Sequence, residues 1–328
     1  MPTTMSQIGI CTTDFYRSIA FYDCVVGMDN TFGTVVGRGE LAEMIQQLPN
    51  PASKMRWLTD NSAFFQLEIF EFEAPKPKPL PANHSALSEG YNRLIIAVRS
   101  LEKFQRSMIE LGFFQELAII EGETSRHGIT TDPDGLTIQL VEQADLINGE
   151  RAAQLIGVGV TSSQFEAAES DFLELFEFTK IADRFDTATV LAGEGELIQS
   201  STLQINDKFV VLTDFENSVP RADDYQLCDA GIMNFAMGYE TQQDYINAWN
   251  TTSQAGMHQS MPAGDGEPTE LGAYGTYATT RTNLSVEMQA IDKRAYGFWG
   301  YGPAGEEHRE AMYQMTLAAL AAYKPNEG

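Results

Sequence analysis

The sequence predicts an α+β protein made of four βαβββ-type modules followed by a C-terminal helix. Three observations support this fold class. A short alternating strand, an amphipathic helix and a glycine recur in the same order along the chain. Pairs of apolar strands around polar turns follow two of the helices. The length of 328 residues is enough for two domains of ordinary size.

The order of strand, helix and glycine is clearest in the first, second and fourth modules. The corresponding residues are 7–11, 14–26 and Gly27; 93–98, 100–111 and Gly112; and 234–237, 241–255 and Gly256. A glycine directly after a helix is the usual left-handed C-cap, so these glycines mark predicted helix ends. The third module is degenerate, because its strand at 155–160 and its helix at 165–175 are followed by no such glycine.

Predicted hairpins follow the helices of the first and third modules. Their strands and turns are residues 57–59, 60–61 and 64–72, and residues 202–205, 206–207 and 209–215. A stiff, proline-rich linker at 74–81 and a second linker at 217–226 come next. We therefore expect an N-terminal domain at 1–148, a C-terminal domain at 151–300 and a helical extension at 303–328.

Composition limits the possible partners and location. The formal net charge of −25 would repel a phosphate backbone, so we expect no nucleic-acid partner. No apolar run approaches the roughly 20 residues of a membrane span, and residues 1–10 do not resemble a cleaved signal. Cys11, Cys24 and Cys228 form no paired framework and indicate reduced thiols. These features predict a cytoplasmic protein. The expected partner is a small-molecule ligand, and we expect a monomer or a homodimer.

Two motifs carry a resemblance to a known superfamily. An Asp-Pro-Asp-Gly turn at 132–135 precedes an apolar strand at 136–142, and the first helix begins with the segment 14–22. Together they resemble the vicinal oxygen chelate superfamily of glyoxalases, bleomycin-resistance proteins and extradiol dioxygenases, closely over 5–145 and more loosely over 151–295. The resemblance implies two glyoxalase/dioxygenase-like domains, each a cup-shaped mixed sheet around a site. We expect modules one and two to form the first cup, and modules three and four the second.

The resemblance also assigns positions to the superfamily's metal ligands. In each pair of modules, one ligand lies on the first strand of each module and one on the last strand of the second module. In the first half these positions fall on Gln7, Arg93 and Gln139, and in the second half on Leu155 or a neighbour, Asn234 and Glu287. A cationic guanidinium cannot bind a metal, and leucine has no donor atom. His84, His127, His258 and His308 all lie outside these positions. We therefore expect no metal cofactor.

The second cup retains the residues best suited to acid–base catalysis. Glu287 lies on a strand that is otherwise mainly apolar, where desolvation would raise its pKa toward that of a useful general base. Asn234 and Tyr277 are its predicted catalytic neighbours. Gln7, Arg93 and Gln139 are candidate substrate-binding residues, and Trp299 belongs to an aromatic cluster that could cover the mouth of the second cup. The alternatives are a structural ion pair for Arg93, a satisfied carboxylate for Glu287 and simple packing of the aromatic segment.

Three functions remain open from the sequence. The first is an enzyme of lyase, isomerase or hydrolase type that acts on a carbonyl or aromatic substrate without a tightly bound metal. The second is a non-catalytic binder of small molecules, as in bleomycin resistance. The third is a metal-dependent dioxygenase or glyoxalase with displaced ligands. A shared scaffold cannot decide among them, because function depends on the site and not on the fold.

Overall fold

The computed structural model describes residues 4–31, 35–60, 62, 64–263, 272–297 and 299–301. In these residues the chain forms two mixed β-sheets, one of nine strands and one of eight, with a small number of helices. This architecture confirms the predicted α+β class. The predicted helical extension at 303–328 lies outside the described residues.

The nine-stranded sheet combines the first and fourth modules. The first module contains β1 (Thr4–Cys11), α1 (Phe15–Ala20) with a π-helical turn (Phe21–Val25), β2 (Asp29–Asn30), β3 (Val35–Arg38), α2 (Gly39–Gln46), β4 (Ala52–Thr59) and β5 (Gln66–Ala74). Strands β6 to β13 belong to the eight-stranded sheet. The fourth module contains β14 (Gly231–Tyr239), α6 (Gln242–Gln254), β15 (His258–Gln259), β16 (Ala273–Thr279) and β17 (Ser285–Ile291). The strand order is β15-β16-β17-β14-β1-β5-β4-β2, with β3 on β4.

The eight-stranded sheet combines the second and third modules. The second module contains β6 (Gly90–Val98), α3 (Leu101–Glu110), β7 (Ala118–Glu121), β8 (Arg126–Thr131) and β9 (Thr137–Glu142). The third contains β10 (Ala153–Thr161), α4 (Phe165–Ser170) with a π-helical turn (Asp171–Leu175), β11 (Thr179–Ile181), α5 (Thr187–Val190), β12 (Leu197–Ile205) and β13 (Lys208–Phe215). The strand order is β11-β12-β13-β10-β6-β9-β8-β7.

The pairing of modules differs from the expected one. At the centre of each sheet, the first strands of two modules pair antiparallel. These pairs are β1 with β14 and β6 with β10, so module one pairs with module four and module two with module three. Each sheet therefore draws on both halves of the chain, and neither 1–148 nor 151–300 forms a cup alone. A strand pattern specifies which residues face the core, but it does not specify which of several similar strands becomes the neighbour.

Alternation along the strands divides each sheet into two faces. In β5, Leu67 and Ile69 point into the main hydrophobic core, which contains residues of both sheets and their helices. The intervening residues Gln66, Glu68 and Phe70 point to the opposite face, because successive side chains alternate. The helix ends also follow the prediction, since Gly27, Gly112 and Gly256 all have a positive φ near 81–87°. Among the described residues, no helix is long and apolar enough to cross a membrane.

The Asp-Pro-Asp-Gly turn connects the two sheets. Asp134 accepts a hydrogen bond from the backbone nitrogen of Thr13 over 3.1 Å and also contacts the hydroxyl groups of Thr12 and Ser18. Asp132 accepts a hydrogen bond of 2.9 Å from the hydroxyl of Tyr22. The turn of the second module thus fixes the first helix of module one, and its role is structural.

Candidate active site

A polar cluster lies on the face of the nine-stranded sheet that points away from the main core. Four neighbouring strands each contribute one residue: Gln7 from β1, Glu68 from β5, Asn234 from β14 and Glu287 from β17. The strand register brings them together, because Gly9 pairs with both Glu68 and Asn234 and Ala236 pairs with Glu287. The cluster therefore combines the first and last strands of two modules.

The amide of Gln7 joins the two carboxylates. Its Nε2 donates to Glu68 Oε2 over 2.5 Å and to Glu287 Oε2 over 3.2 Å. Its Oε1 accepts from Gln66 Nε2 over 2.7 Å and from the hydroxyl of Tyr301 over 3.4 Å. All the hydrogen-bonding capacity of the Gln7 side chain is thus directed into the cluster.

Glu68 is the more deeply buried of the two acids. Its side chain is buried, and its Oε1 accepts a hydrogen bond of 2.9 Å from the indole nitrogen of Trp57. Burial raises the pKa of Glu68 well above its usual range, and the nearby Glu287 raises it further, whereas the hydrogen bonds from Trp57 and Gln7 lower it in part. Glu68 therefore retains a proton more readily than an ordinary glutamate.

Glu287 is only partly buried, so solvent reaches one of the two acids. Burial raises the pKa of Glu287 to about 7, and the nearby Asn234 amide offsets part of this effect. Tyr277 lies directly opposite Glu287 on the neighbouring strand and is buried. Burial raises the pKa of Tyr277 well above its usual value, as does each nearby carboxylate, so its phenol stays protonated at neutral pH. A carboxyl group that titrates near 7 is suited to general acid–base catalysis.

The side chain of Asn234 has space only because residue 9 is a glycine. A Cβ atom on Gly9 would lie 2.3 Å from Asn234 Oδ1. Asn234 is fully buried, and within the described residues neither of its amide atoms has a hydrogen-bond partner of ordinary geometry. Leaving a buried amide unsatisfied costs about 1–3 kcal/mol, so its retention indicates a role for a bound group.

Aromatic residues near the end of the described chain cover this cluster. Trp299 packs edge-to-face on Trp57 with ring centroids 5.9 Å apart, and Trp57 in turn binds Glu68. The hydroxyl of Tyr301 contacts Gln7 and also accepts a hydrogen bond from Gln289. Trp299 thus lies next to Trp57 at the cluster, and its role in covering a cup stays a prediction.

The equivalent face of the eight-stranded sheet has lost this polar character. By register, Gly157 corresponds to Gln7, Val211 to Glu68, Arg93 to Asn234 and Gln139 to Glu287. The guanidinium of Arg93 fills the space above Gly159, where a Cβ atom would lie 2.2 Å from Cζ. It donates to Gln139 Oε1 over 3.1 Å and to Asn92 Oδ1 over 2.8 Å. Burial lowers the pKa of Arg93 to about 10.

The expected first cup is therefore wrong in its composition. Gln7 lies in the nine-stranded sheet with Asn234, Tyr277 and Glu287, and Trp299 packs on Trp57 of that sheet, whereas Arg93 and Gln139 lie in the other sheet. A buried apolar cluster is formed by residues of this second sheet and its connections, namely Ile95, Ala97, Val141, Ile147, Ile156, Phe185, Phe209 and Val211. The physical reason is the pairing of β1 with β14, which separates Gln7 from Arg93.

The donor atoms of the cluster fit a hard divalent cation. Glu68 and Glu287 supply carboxylate oxygens, and Gln7 and Asn234 can each supply an amide oxygen, a set that suits magnesium or manganese better than a soft metal. No group of three or more His, Cys, Asp or Glu side chains that could hold a metal occurs in the described part of the chain. Any cation here would therefore depend on the two amides as well as the two acids.

Glu68, Gln66, Trp57 and Tyr301 were not identified from the sequence. The sequence did contain a signal for Glu68, because this carboxylate lies within the apolar run of Leu67, Ile69 and Phe70. Glu287 lies within an apolar strand in the same way. Glu68 was missed because the pairing of modules one and four makes the last strand of module one part of a site. The sequence pattern did not establish this pairing.

Comparisons of whole structures identify the fold. A variant of glyoxalase I from Zea mays superposes with a TM-score of 0.61 at 13% identity, covering 90% of this chain and 94% of that one. A candidate dioxygenase from Bacillus subtilis superposes with a TM-score of 0.62 at 11% identity, covering 95% of each chain. The protein has the vicinal oxygen chelate fold. No protein-family model matches the sequence, and no curated protein does so. At 11–13% identity these two structures show the fold alone, and the site must be argued from its own residues.

Proposed function

We propose that this protein is an enzyme that moves a proton on a small carbonyl substrate, with the carboxylates of Glu68 and Glu287 around a hard divalent cation. One observation carries the proposal: two acids from different modules meet at the Gln7 amide. In the described residues no lysine or arginine forms an ion pair with either of them. Two carboxylates that share a site repel each other unless a proton or a cation is added.

The residues that would hold the cation are Gln7, Glu68, Asn234 and Glu287. A bound divalent cation polarises a carbonyl oxygen and so acidifies the neighbouring C–H bond. The Gln7 amide would present Oε1 instead of Nε2 to the cation, which requires rotation of its terminal amide and also of the Gln66 amide, whose Nε2 now donates to Gln7 Oε1. Asn234 already lies beside the carboxylates with both amide atoms free of protein partners of ordinary geometry.

The burial and the contacts of each side chain indicate its role in the proposed reaction. Glu287 is the more exposed of the two acids, so it is the candidate base that removes the proton from carbon. Glu68 is fixed by Trp57 and is the less accessible acid. Tyr277 faces Glu287 as a protonated phenol and can donate a hydrogen bond to an oxygen that gains negative charge. Trp299 and Trp57 exclude water from one side of the site.

A second candidate is acid–base catalysis by the carboxylate pair alone. It is favoured by the orientation of Gln7, whose Nε2 donates to both acids. It is also favoured by the raised pKa values of Glu68 and Glu287, which let the pair hold one proton near neutral pH. In this case the pair would act as donor and acceptor in one reaction, as other carboxyl pairs do.

Calorimetric titration of chelator-treated protein with Mg²⁺, Mn²⁺, Co²⁺, Ni²⁺ and Zn²⁺ tests the first candidate. We expect one site per chain that Glu68→Gln and Glu287→Gln both eliminate, and that the exposed control Glu110→Gln retains. The reaction class is tested separately by incubating the protein with α-hydroxycarbonyl compounds in D₂O and following loss of the C–H signal by NMR. Exchange without any cation would favour the second candidate. Tight binding of such compounds without exchange would indicate a binder.

A further inference from the structure

A cavity of about 280 Å³ adjoins the carboxylate cluster at the edge of the nine-stranded sheet. Tyr277 and Ser285 form its inner wall, and both lie on the face that carries Glu287. The turn after α2 contributes Gln46 and Leu48, and the linker before β14 contributes Arg221 and Tyr225. Tyr277 is directly opposed to Glu287 on the adjacent strand, where Cβ atoms are roughly 4.5–5.5 Å apart, so one residue belongs both to the cavity wall and to the candidate site.

Arg221 is held at this cavity by contacts that do not neutralise its charge. Its guanidinium lies 4.3 Å from the ring centroid of Tyr225, and its Nη1 donates to the carbonyl of Asn283 over 3.2 Å. Its Nη2 packs against Gly90 so closely that a Cβ atom there would lie 1.9 Å away. None of the described carboxylates forms an ion pair with Arg221. The side chain is thus fixed in place with donors still available.

The charge of Arg221 is therefore available to an anion from outside the chain. The chain as a whole is acidic, with 46 acidic and 21 basic residues, so a bound anion needs a local cation of this kind. A second and independent observation concerns Gln46 in the same cavity. Its side chain is buried, and its Oε1 has no hydrogen-bond partner among the described residues. The described side chains thus leave this acceptor without a donor, which water or a bound molecule would supply.

We propose that this cavity is the anchoring subsite for the substrate and that Arg221 selects an anionic substrate. The anionic group, a carboxylate or a phosphate, lies at the end remote from the reacting carbonyl. The guanidinium of Arg221 donates to this group, and Gln46 Oε1 accepts from an N–H or O–H of the same molecule. The proposal deepens the proposed function, because it gives the substrate class of the same site.

Binding to the metal-free, full-length protein tests the subsite without reference to the reaction. The probes are 4-phenylbutyrate, its neutral amide, phenyl phosphate and hippurate, with dissociation constants measured by ligand-observed NMR. We expect wild-type protein to prefer an anionic probe to the neutral amide by about tenfold or more, as charge-assisted hydrogen bonds imply. The stronger of 4-phenylbutyrate and phenyl phosphate identifies the anionic group.

Variants separate a selective site from general electrostatics. Arg221→Met should remove the preference, Arg221→Lys should retain part of it, and the exposed control Arg17→Met should leave it unchanged. Gln46→Leu should weaken the binding of hippurate, which carries an N–H group, more than the binding of 4-phenylbutyrate. Equal affinity for charged and neutral probes, or a preference that survives Arg221→Met in protein with an unchanged Tm, would overturn the proposal. Cation binding by Arg221→Met should match wild type, so failure of this subsite and failure of the metal site remain distinguishable.

Discussion

Glu68 and Glu287 occupy equivalent positions on the last strands of the first and fourth modules, and one nitrogen atom, Gln7 Nε2, contacts both. The charge of Glu287 raises the pKa of Glu68, because two negative charges in one buried site repel each other. The pair is therefore destabilising when ionised without a cation. This relationship has consequences for stability, for pH dependence and for catalysis.

Neutralising one acid should separate stability from activity. We expect Glu287→Gln to lower turnover by about 10²–10⁴-fold, the usual cost of losing a general base. The same variant should unfold at an equal or higher temperature than metal-free wild type at pH 8, because it removes the charge repulsion. Steady-state kinetics and calorimetry check the two effects. Near-normal turnover in Glu287→Gln would move the reaction to other residues.

The stability of the metal-free protein should fall as the pH rises through the range between the unfolded and folded pKa values of Glu287. The folded value is about 7 and the ordinary value is 4.5, so in this interval the folded state holds a proton that the unfolded state has lost. The free energy of unfolding then decreases with pH, by about 1–3 kcal/mol from this group after allowing for its partial exposure.

Urea unfolding between pH 4 and pH 8 measures this dependence, with Glu287→Gln as the control that should lack the share of Glu287 and keep that of the buried Glu68. A saturating divalent cation should also suppress it, since the cation favours the ionised form. If wild type and Glu287→Gln show the same pH profile, Glu287 is not protonated in the folded protein at neutral pH.

Arg93 should prove dispensable for activity. Arg93→Met removes a buried charge whose Nη2 has no partner among the described residues, and methionine can fill much of the same volume above Gly159. We expect turnover within about twofold of wild type and a stability loss of about 1–3 kcal/mol, because Gln139 Oε1 and Asn92 Oδ1 lose their guanidinium donor. Loss of activity in a folded Arg93→Met protein would place the active site in the eight-stranded sheet.

Gly9→Ala should impair the site through Asn234. The added Cβ would meet Asn234 Oδ1 at 2.3 Å and Met233 Cγ at 3.2 Å, so the amide must move. We expect a loss of about 1–3 kcal/mol of stability from overpacking and a weaker cation affinity. The double variant Gly9→Ala/Asn234→Ala should recover stability but not affinity. Recovery of both would show that the Asn234 side chain has no role in binding.

Local structure could be predicted well from the sequence. The module order, the helix ends at Gly27, Gly112 and Gly256, and the Asp-Pro-Asp-Gly turn depend on short-range backbone preferences, and the structure confirms them. The partner of β1 could not be predicted in this way. Four first strands with similar apolar patterns can form several antiparallel pairs, and the choice depends on packing across the whole molecule.

The same limitation affected the site. Asn234, Tyr277 and Glu287 belong to one module and were correctly grouped, whereas Gln7 was grouped with Arg93 and Gln139 because those residues follow it in the chain. Glu68 could be assigned to the site only from the three-dimensional strand pairing, because its proposed role depends on Glu287, which lies more than 200 residues away in the chain. Polar residues within apolar strands were the useful signal, and their grouping required the sheet order.

The pairing of the first strand with a strand of the last module also bears on synthesis. The contact between Gln7 and Glu287 spans 280 residues, so a chain emerging from the ribosome carries half of the carboxylate pair long before the other half exists. The eight-stranded sheet, formed by consecutive modules, can close first, whereas β1 has no β14 to pair with until the fourth module is made. The carboxylate pair of the candidate site is thus complete only in molecules whose translation has passed β17.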